Sequence, residues 1–211
     1  MGIAISIKNV TKTFKTQTVL KNVSLECNSG EIRGIVGYNG SGKTVLFKTI
    51  CGFFSPDTGD IWVNNKRRNG RILTEAGIVI DGPAFLDSFS GIDNLEFLWL
   101  LKHKRNRKHL EDTMAKVGLN PFEKKKVGKY SMGMKQRLAI AQAIMENQSI
   151  LLLDEPMNGL DKEGVGDMRE LFLSMKEEGK TILLASHNKE DIDLLCDHVY
   201  EMDAGVLTLV K

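Results

Sequence analysis

The stretch Gly37-Tyr38-Asn39-Gly40-Ser41-Gly42-Lys43-Thr44 satisfies G-x-x-x-x-G-K-[ST], and with its flanks it limits the fold more than any other part of the chain. Residues 32–36 (Ile-Arg-Gly-Ile-Val) read as a short buried strand, and residues 45–50 (Val-Leu-Phe-Lys-Thr-Ile) as the first turns of a helix. A strand feeding a helix through a glycine-rich loop is the setting in which such a loop cradles phosphate. The glycines permit φ > 0 and let backbone N–H groups come close to phosphate oxygens. A helix opening near Gly42 adds its positive dipole end. Lys43 then supplies a point charge for the β- and γ-phosphates, and the Thr44 hydroxyl a ligand for Mg2+.

Residues 149–153 form an apolar run that ends in Asp154-Glu155. Buried parallel strands read as such runs, and ligand chemistry gathers at their carboxyl ends. Asp154 is therefore expected to face the metal beside Thr44. Glu155, where the chain leaves the sheet, is placed to polarise a water for in-line attack on the γ-phosphate. Alone, an apolar run ending in two acids fits a solvated loop pair better; downstream of a complete phosphate loop it points to the site. Residues 181–186 form a second apolar run, ending at His187, which reads either as a structural histidine or as a charge sensor beside the γ-phosphate.

The rest of the chain completes an α/β reading: a mostly parallel sheet, a small antiparallel β subdomain and an inserted helical lobe, all within one domain spanning 1–211. Ile3, Ile5 and Ile7 alternate with Ala4 and Ser6, an opening strand with one buried face. Residues 22–27 and 60–64 read as further strands, the second ending in an Asn64-Asn65-Lys66 turn. The first six residues also match an N-myristoylation pattern, but the strand already accounts for them. From about 84 to 145 the pattern turns helical. Asp93-Asn94-Leu95-Glu96 opens an amphipathic helix, followed by Lys102, Lys104, Arg105, Arg107 and Lys108 with His103 and His109 among them. With no aromatic residue interleaved, that run reads as a solvated helix end and not as a lipid or RNA surface.

The formal net charge of +2 is too near balance to argue by itself for a nucleic-acid partner, and none is expected. Three widely spaced cysteines make neither a metal pattern nor a disulfide framework, which suits a reducing cytosol. The longest apolar stretches, such as 95–101, fall far short of the ~20 residues a spanning helix needs. Any membrane part must be a separate chain. The last strand reads as 206–210, so no added regulatory domain is expected.

With Tyr130-Ser131-Met132-Gly133-Met134-Lys135-Gln136 lying between the phosphate loop and Asp154-Glu155, the chain resembles the nucleotide-binding subunit of an ATP-binding cassette (ABC) transporter. The resemblance runs along essentially the whole sequence. It implies ATP and Mg2+ as ligands, with Phe14 stacking on adenine and residues 37–44 as the Walker A loop. It makes Asp154 the Walker B acid, Glu155 the catalytic base, Asn158-Gly159-Leu160-Asp161 the D-loop and His187 the switch histidine. Ser131-Met132-Gly133-Met134 stands where the family signature normally reads Ser-Gly-Gly-Gln. With Lys-Gln-Arg-Leu following, this variant is similar to the antibiotic and bacitracin-type exporters.

The signature has its own physical logic. Ser131 can cap the helix running through Leu138 and Met145, leaving free N–H groups that attract an anion. In the family that anion is the γ-phosphate held by a second protomer, so two ATP molecules lie head to tail between two subunits. Ser131 and Gly133, kept here, supply the hydroxyl and the close backbone approach. The resemblance thus implies a homodimer or a pair with a related subunit, driving a separate permease from the inner face of the membrane and exporting a peptide antibiotic or drug.

One position departs from the pattern. The family carries a Gln before the helical lobe, yet no Gln occurs between Gln17 and Gln136, and Asp81 occupies the matching place. Asp81 reads either as a ligand for water or metal, or as the start of an Asp81-Gly82-Pro83 turn.

Two other classes remain to be weighed. A soluble ABC-type ATPase uncoupled from transport usually shows tandem cassettes or long insertions, and neither is present. A GTPase would use Asn188-Lys189-Glu190-Asp191 as N-K-x-D and Asp161-Lys162-Glu163-Gly164 as D-x-x-G, but it leaves residues 130–136, Glu155 and His187 without roles.

Overall fold

The structure is a computed structural model and describes residues 2–211. Met1, with which the lipidation pattern opens, lies outside the described residues.

Strand β1 (Ile3–Phe14) pairs antiparallel with β2 (Gln17–Asn28) on one side and β4 (Thr58–Val63) on the other. With β5 (Lys66–Arg67) they form a four-stranded sheet in the order β2-β1-β4-β5. The β4–β5 hairpin turns at Asn64 and Asn65, both at positive φ (49° and 59°), a turn chemistry that suits Asn. Two expected boundaries are extended: the strand read as 22–27 starts at Gln17, and the one read as 60–64 starts at Thr58. The single buried face expected for β1 is corrected. Ile3 is exposed, whereas Ala4, Ile5, Ser6 and Ile7 are all buried. A register shift lies between Ile3 and Ile5, but pairing with β2 and β4 is continuous from Ile5 to Ile7, so the burial of Ser6 between them means that both faces of the strand are covered there.

The second sheet has six strands in the order β10-β9-β3-β8-β7-β6. Strands β3 (Ile32–Val36), β6 (Gly77–Val79), β7 (Ile150–Asp154), β8 (Thr181–Ser186) and β9 (His198–Asp203) are parallel, and β10 (Val206–Leu209) folds back antiparallel on β9. Both faces are covered. Leu151 and Leu153 join a core with Leu138, Met168 and Phe172, while Ile150 and Leu152 join Leu46, Phe47 and the inner residues of β1 and β2. Burial on both sides is why β7 and β8 read as unbroken apolar runs.

Helix α1 (Lys43–Ile50) follows β3, and α5 (Lys162–Glu177) and α6 (Lys189–Leu195) follow β7 and β8. Between β6 and β7 lie α2 (Gly91–Trp99), α3 (Arg107–Lys116) and α4 (Met132–Ile144), whose inner residues Leu95, Leu110, Met114 and Leu138 share the first core. Helix α4 approaches the sheet edge closely, since a Cβ on Gly77 would stand 2.0 Å from the Ala143 carbonyl oxygen. The basic run is largely paired within the chain: Lys102 with Glu146 (3.0 Å), Arg105 and Arg107 with Glu96 (2.9 and 3.0 Å), Lys108 with Asp112 (2.6 Å). Cys27, Cys51 and Cys196 are buried and unbridged, and burial pushes each thiol up to about 12. Among the described residues no helix is long and apolar enough to cross a membrane.

Candidate functional site

The loop between β3 and α1 turns back on itself, with Ser41 N–H donating to the Tyr38 carbonyl (3.1 Å). Gly42 caps α1 in the left-handed region (φ 116°), where a side chain would be strained. Gly37 is demanded by contact: a Cβ there would meet the Met202 carbonyl oxygen of β9 at 2.3 Å. Lys43, only 5% exposed, points inward. Its Nζ donates to the carbonyls of Gly37 (2.7 Å) and Tyr38 (3.3 Å) and lies 3.7 Å from Glu155 Oε1.

Strand β7 delivers the two acids to the same point. Thr44 Oγ1 donates to Asp154 Oδ2 at 2.5 Å. Burial pushes the Asp154 carboxyl above its ordinary value; the Thr44 hydrogen bond and Lys43 oppose the rise, and the charges of Glu155 and Asp81 add to it. Glu155 sits in the left-handed region (φ 52°), an uncommon place for a residue with a side chain. Its N–H donates to the Ala185 carbonyl of β8 (2.9 Å). Its Oε2 accepts from His187 N–H (3.4 Å) and lies 2.8 Å from His187 Nδ1.

Three buried oxygens in this cluster have no hydrogen-bond partner: Ser41 Oγ, Asp154 Oδ1 and Glu155 Oε1. Buried polar atoms are nearly always paired, so unpaired ones gathered around a phosphate-type loop mark where a ligand's own polar atoms fit. A cavity of about 160 Å³ opens there between Val19, Gly40, Lys43, Thr44, Asp154 and Glu155. No cluster of three or more His, Cys, Asp or Glu side chains suited to a metal occurs among the described residues. A lone buried carboxylate beside a threonine hydroxyl nevertheless fits Mg2+, which takes one or two carboxylates and completes its shell with water and phosphate oxygens. A larger groove, about 510 Å³, lies on the far side of Gly37 and His187, but its walls include Val199, Val210 and Ile192 and fewer phosphate-binding groups.

The remaining expected residues stand farther out. Asp81 is ion-paired with Lys48 of α1, and with Gly82 it forms a turn with both residues at positive φ (63° and 80°). Asp81 is thus both the turn's first residue and a charge felt by Asp154. Ser131 caps α4, its Oγ accepting from Met134 N–H at 3.2 Å. Gly133 packs against the Gly159 carbonyl, and Met132 lies across Gly159. Phe14 is 37% exposed at the end of β1, with Phe54 edge-on to it at 5.0 Å. Tyr38 and Asn39 are exposed on the loop.

Gln136 was not among the residues singled out. Its side chain, 2% exposed, donates from Nε2 to the carbonyls of Pro156 (2.9 Å) and Glu155 (3.3 Å). The signal was present in the sequence: Gln136 lies on the same helical face as Ala139, Ile140 and Ala143, an amide among apolar neighbours.

A family model described as ABC transporter matches residues 20–158. The chain belongs to the ABC transporter family. This ABC cassette is 40% identical over 205 residues to the ABC transporter ATP-binding protein YybJ of Bacillus subtilis, covering 96% of this chain and 94% of that one. It is 32% identical to the lantibiotic transport ATP-binding protein SrtF of Streptococcus pyogenes (98% and 90% covered) and 34% identical to the bacitracin transport ATP-binding protein BcrA of Enterococcus faecalis (98% and 68% covered). The likeness to the antibiotic-exporter branch read from the signature therefore holds. Among solved structures, the dimeric post-hydrolysis state of the ATP-binding cassette MJ0796 bound to ADP and Pi superimposes with a TM-score of 0.90 at 25% identity, covering 98% of each chain. The α/β cassette fold, with its mostly parallel sheet, antiparallel sheet and helices, is thereby that of the family.

Proposed function

We propose that this ABC cassette hydrolyses ATP to drive a separate membrane permease that exports a peptide antibiotic or a similar compound. The observation that carries the reading is the convergence of Lys43, Thr44, Asp154, Glu155 and His187 within one set of contacts of 2.5–3.7 Å. Residues 37–44 bind the triphosphate through backbone N–H groups and Lys43, and Phe14 offers its half-exposed ring to adenine. Thr44 and Asp154 would hold Mg2+, and Asp81, whose charge Asp154 feels, would act on a water of its shell. Such an ion supplies positive charge for the β- and γ-phosphate oxygens.

Glu155 takes a proton from water as the water oxygen attacks the γ-phosphorus. The bond from phosphorus to the β–γ bridging oxygen breaks, and ADP leaves with that electron pair. His187 fixes the orientation of the Glu155 carboxylate, and Lys43 offsets its charge. The tip formed by Ser131 and Gly133 binds the γ-phosphate of a second protomer, giving a homodimer or a pair with a related cassette. Residues 1–211 act as one ABC ATPase domain with its helical lobe at about 84–145. It works in the cytoplasm, peripheral to the inner face of the membrane. Two relatives whose names specify lantibiotic and bacitracin transport support the cargo class.

Glu155→Gln tests the reading. It keeps the carbonyl oxygen that His187 touches but removes the base, so ATP stays bound while hydrolysis falls about 10²–10⁴-fold. Gel filtration with ATP should then show a dimer. A variant that hydrolyses at the normal rate, or remains monomeric with ATP bound, counts against the proposal.

A further inference from the structure

The helix that carries the signature and the peptide that carries the base are joined inside one subunit. Helix α4 touches residues 155–160 at two places. At its tip, Met132 lies across Gly159 and Gly133 faces the Gly159 carbonyl oxygen. Just over one turn further along, Gln136 Nε2 reaches both the Glu155 and the Pro156 carbonyls. Pro156 has no N–H, and Glu155 is held in a left-handed backbone conformation that an L-residue adopts only under constraint. His187 and Lys43 hold its side chain, while its backbone has three contacts: Ala185 accepts from Glu155 N–H, Asn158 N–H donates to the Glu155 carbonyl at 3.2 Å, and the Gln136 amide donates to the same carbonyl at 3.3 Å.

From this geometry we infer that Gln136 is a positioning residue that holds the Glu155 backbone in its left-handed conformation and makes the seat of α4 and the aim of the base a single variable. Any displacement of the Ser131 tip pulls on the peptide whose side chain faces Lys43 and His187. The Ser131 tip thus reports to the Glu155 carboxylate through one buried amide. Met132 strengthens the link in this chain, because its side chain gives α4 a second grip on the turn at Gly159. The inference rests on the reading of Glu155 as the base.

Gln136→Met keeps the volume and removes the donor; Gln136→Leu also removes the donor, with a shorter side chain. Steady-state hydrolysis and single-turnover rates are measured for both in the full-length chain, alone and combined with Glu155→Gln. The clamp predicts a fall in kcat of about tenfold or more with the KM for ATP within about twofold. It also predicts that the same substitution lowers the residual single-turnover rate of the Glu155→Gln protein by less than about twofold, since two residues acting as one unit are not additive. An equal fall in both backgrounds, a rise in KM that accounts for the loss, or an unchanged kcat would overturn it. If Gln136→Met does not fold, Gln136→Leu decides on the same criteria. Normal hydrolysis by Glu155→Gln itself would overturn the reading of Glu155 and this inference together, whereas loss there with no effect at Gln136 overturns the inference alone.

Discussion

Lys48, one helical turn beyond Thr44 on α1, forms an ion pair with Asp81, two residues past the end of β6. The family's neutral amide is thus replaced by an acid that brings its own counter-charge. The pair is partly exposed, so it adds little to stability, on the order of 0–1 kcal/mol. Its consequence is electrostatic and falls on Asp154, whose carboxyl is raised by burial first and further by Glu155 and Asp81.

That arrangement sets the pH dependence. In the proposed role of metal ligand Asp154 must be ionised, so Mg2+-dependent hydrolysis should be lost as the pH falls through its raised pKa. Asp81→Asn removes one of the charges that raise it and leaves Lys48 unpaired nearby. Both changes favour the carboxylate, so the acid limb of kcat/KM should move to lower pH. A limb that stays in place would show that Asp81 is already fully screened by Lys48. Asp81→Gln, which brings in the amide of the family, should raise turnover if Asp81 limits the chemistry.

The same raised carboxyl makes a stability statement. A folded-state pKa above the unfolded value means that the native state binds the proton more tightly. That contribution is fully present at acid pH and is lost as the pH rises through the folded pKa. Asp154→Asn keeps an oxygen for the Thr44 hydroxyl and discards the buried charge. The variant should therefore be inactive yet melt higher than the parent, with the gap widest at alkaline pH and closing on acidification. A lower melting temperature at pH 8 would refute the account.

Lys43→Ala removes the charge nearest to both Glu155 and the loop carbonyls. Hydrogen bonds to charged groups contribute about 1.5–3 kcal/mol each. Losing two to a triphosphate should weaken nucleotide binding by at least about a hundredfold, as titration of a fluorescent ATP analogue would read. Binding within a few fold of the parent would mean that the loop backbone alone carries the affinity.

Gly77 marks the closest approach of α4 to the parallel sheet. A methyl there would collide with the Ala143 carbonyl and stand 2.6 Å from Leu151 Cδ2. Gly77→Ala should cost about 1–3 kcal/mol by overpacking, visible as a fall in denaturant midpoint. An unchanged midpoint would show that α4 can slide on the sheet edge at no cost.

Much of the site was legible because its parts are local. Lys43 and Thr44, then Asp154 and Glu155, then His187, each follow a short apolar strand, and a parallel sheet brings such strand ends to one edge. What stayed hidden depends on distant pairings. Lys48 meets Asp81 only because α1 faces the exit of β6, and Lys102 finds Glu146 across 44 residues of sequence. The burial of Ser6 between Ile5 and Ile7 follows from cover on both faces of β1, which a small polar residue in an alternating run does not announce. Gln136 was visible in the helical period but was absorbed into the signature that precedes it.

The three cysteines, each sealed in a core and almost entirely protonated at neutral pH, leave this chain unreactive to maleimides without engineering. A single thiol placed at Leu101, 77% exposed beyond the end of α2, would then be the sole attachment point for a dye. An environment-sensitive dye there turns movement of the helical lobe into an optical signal that can be followed turnover by turnover.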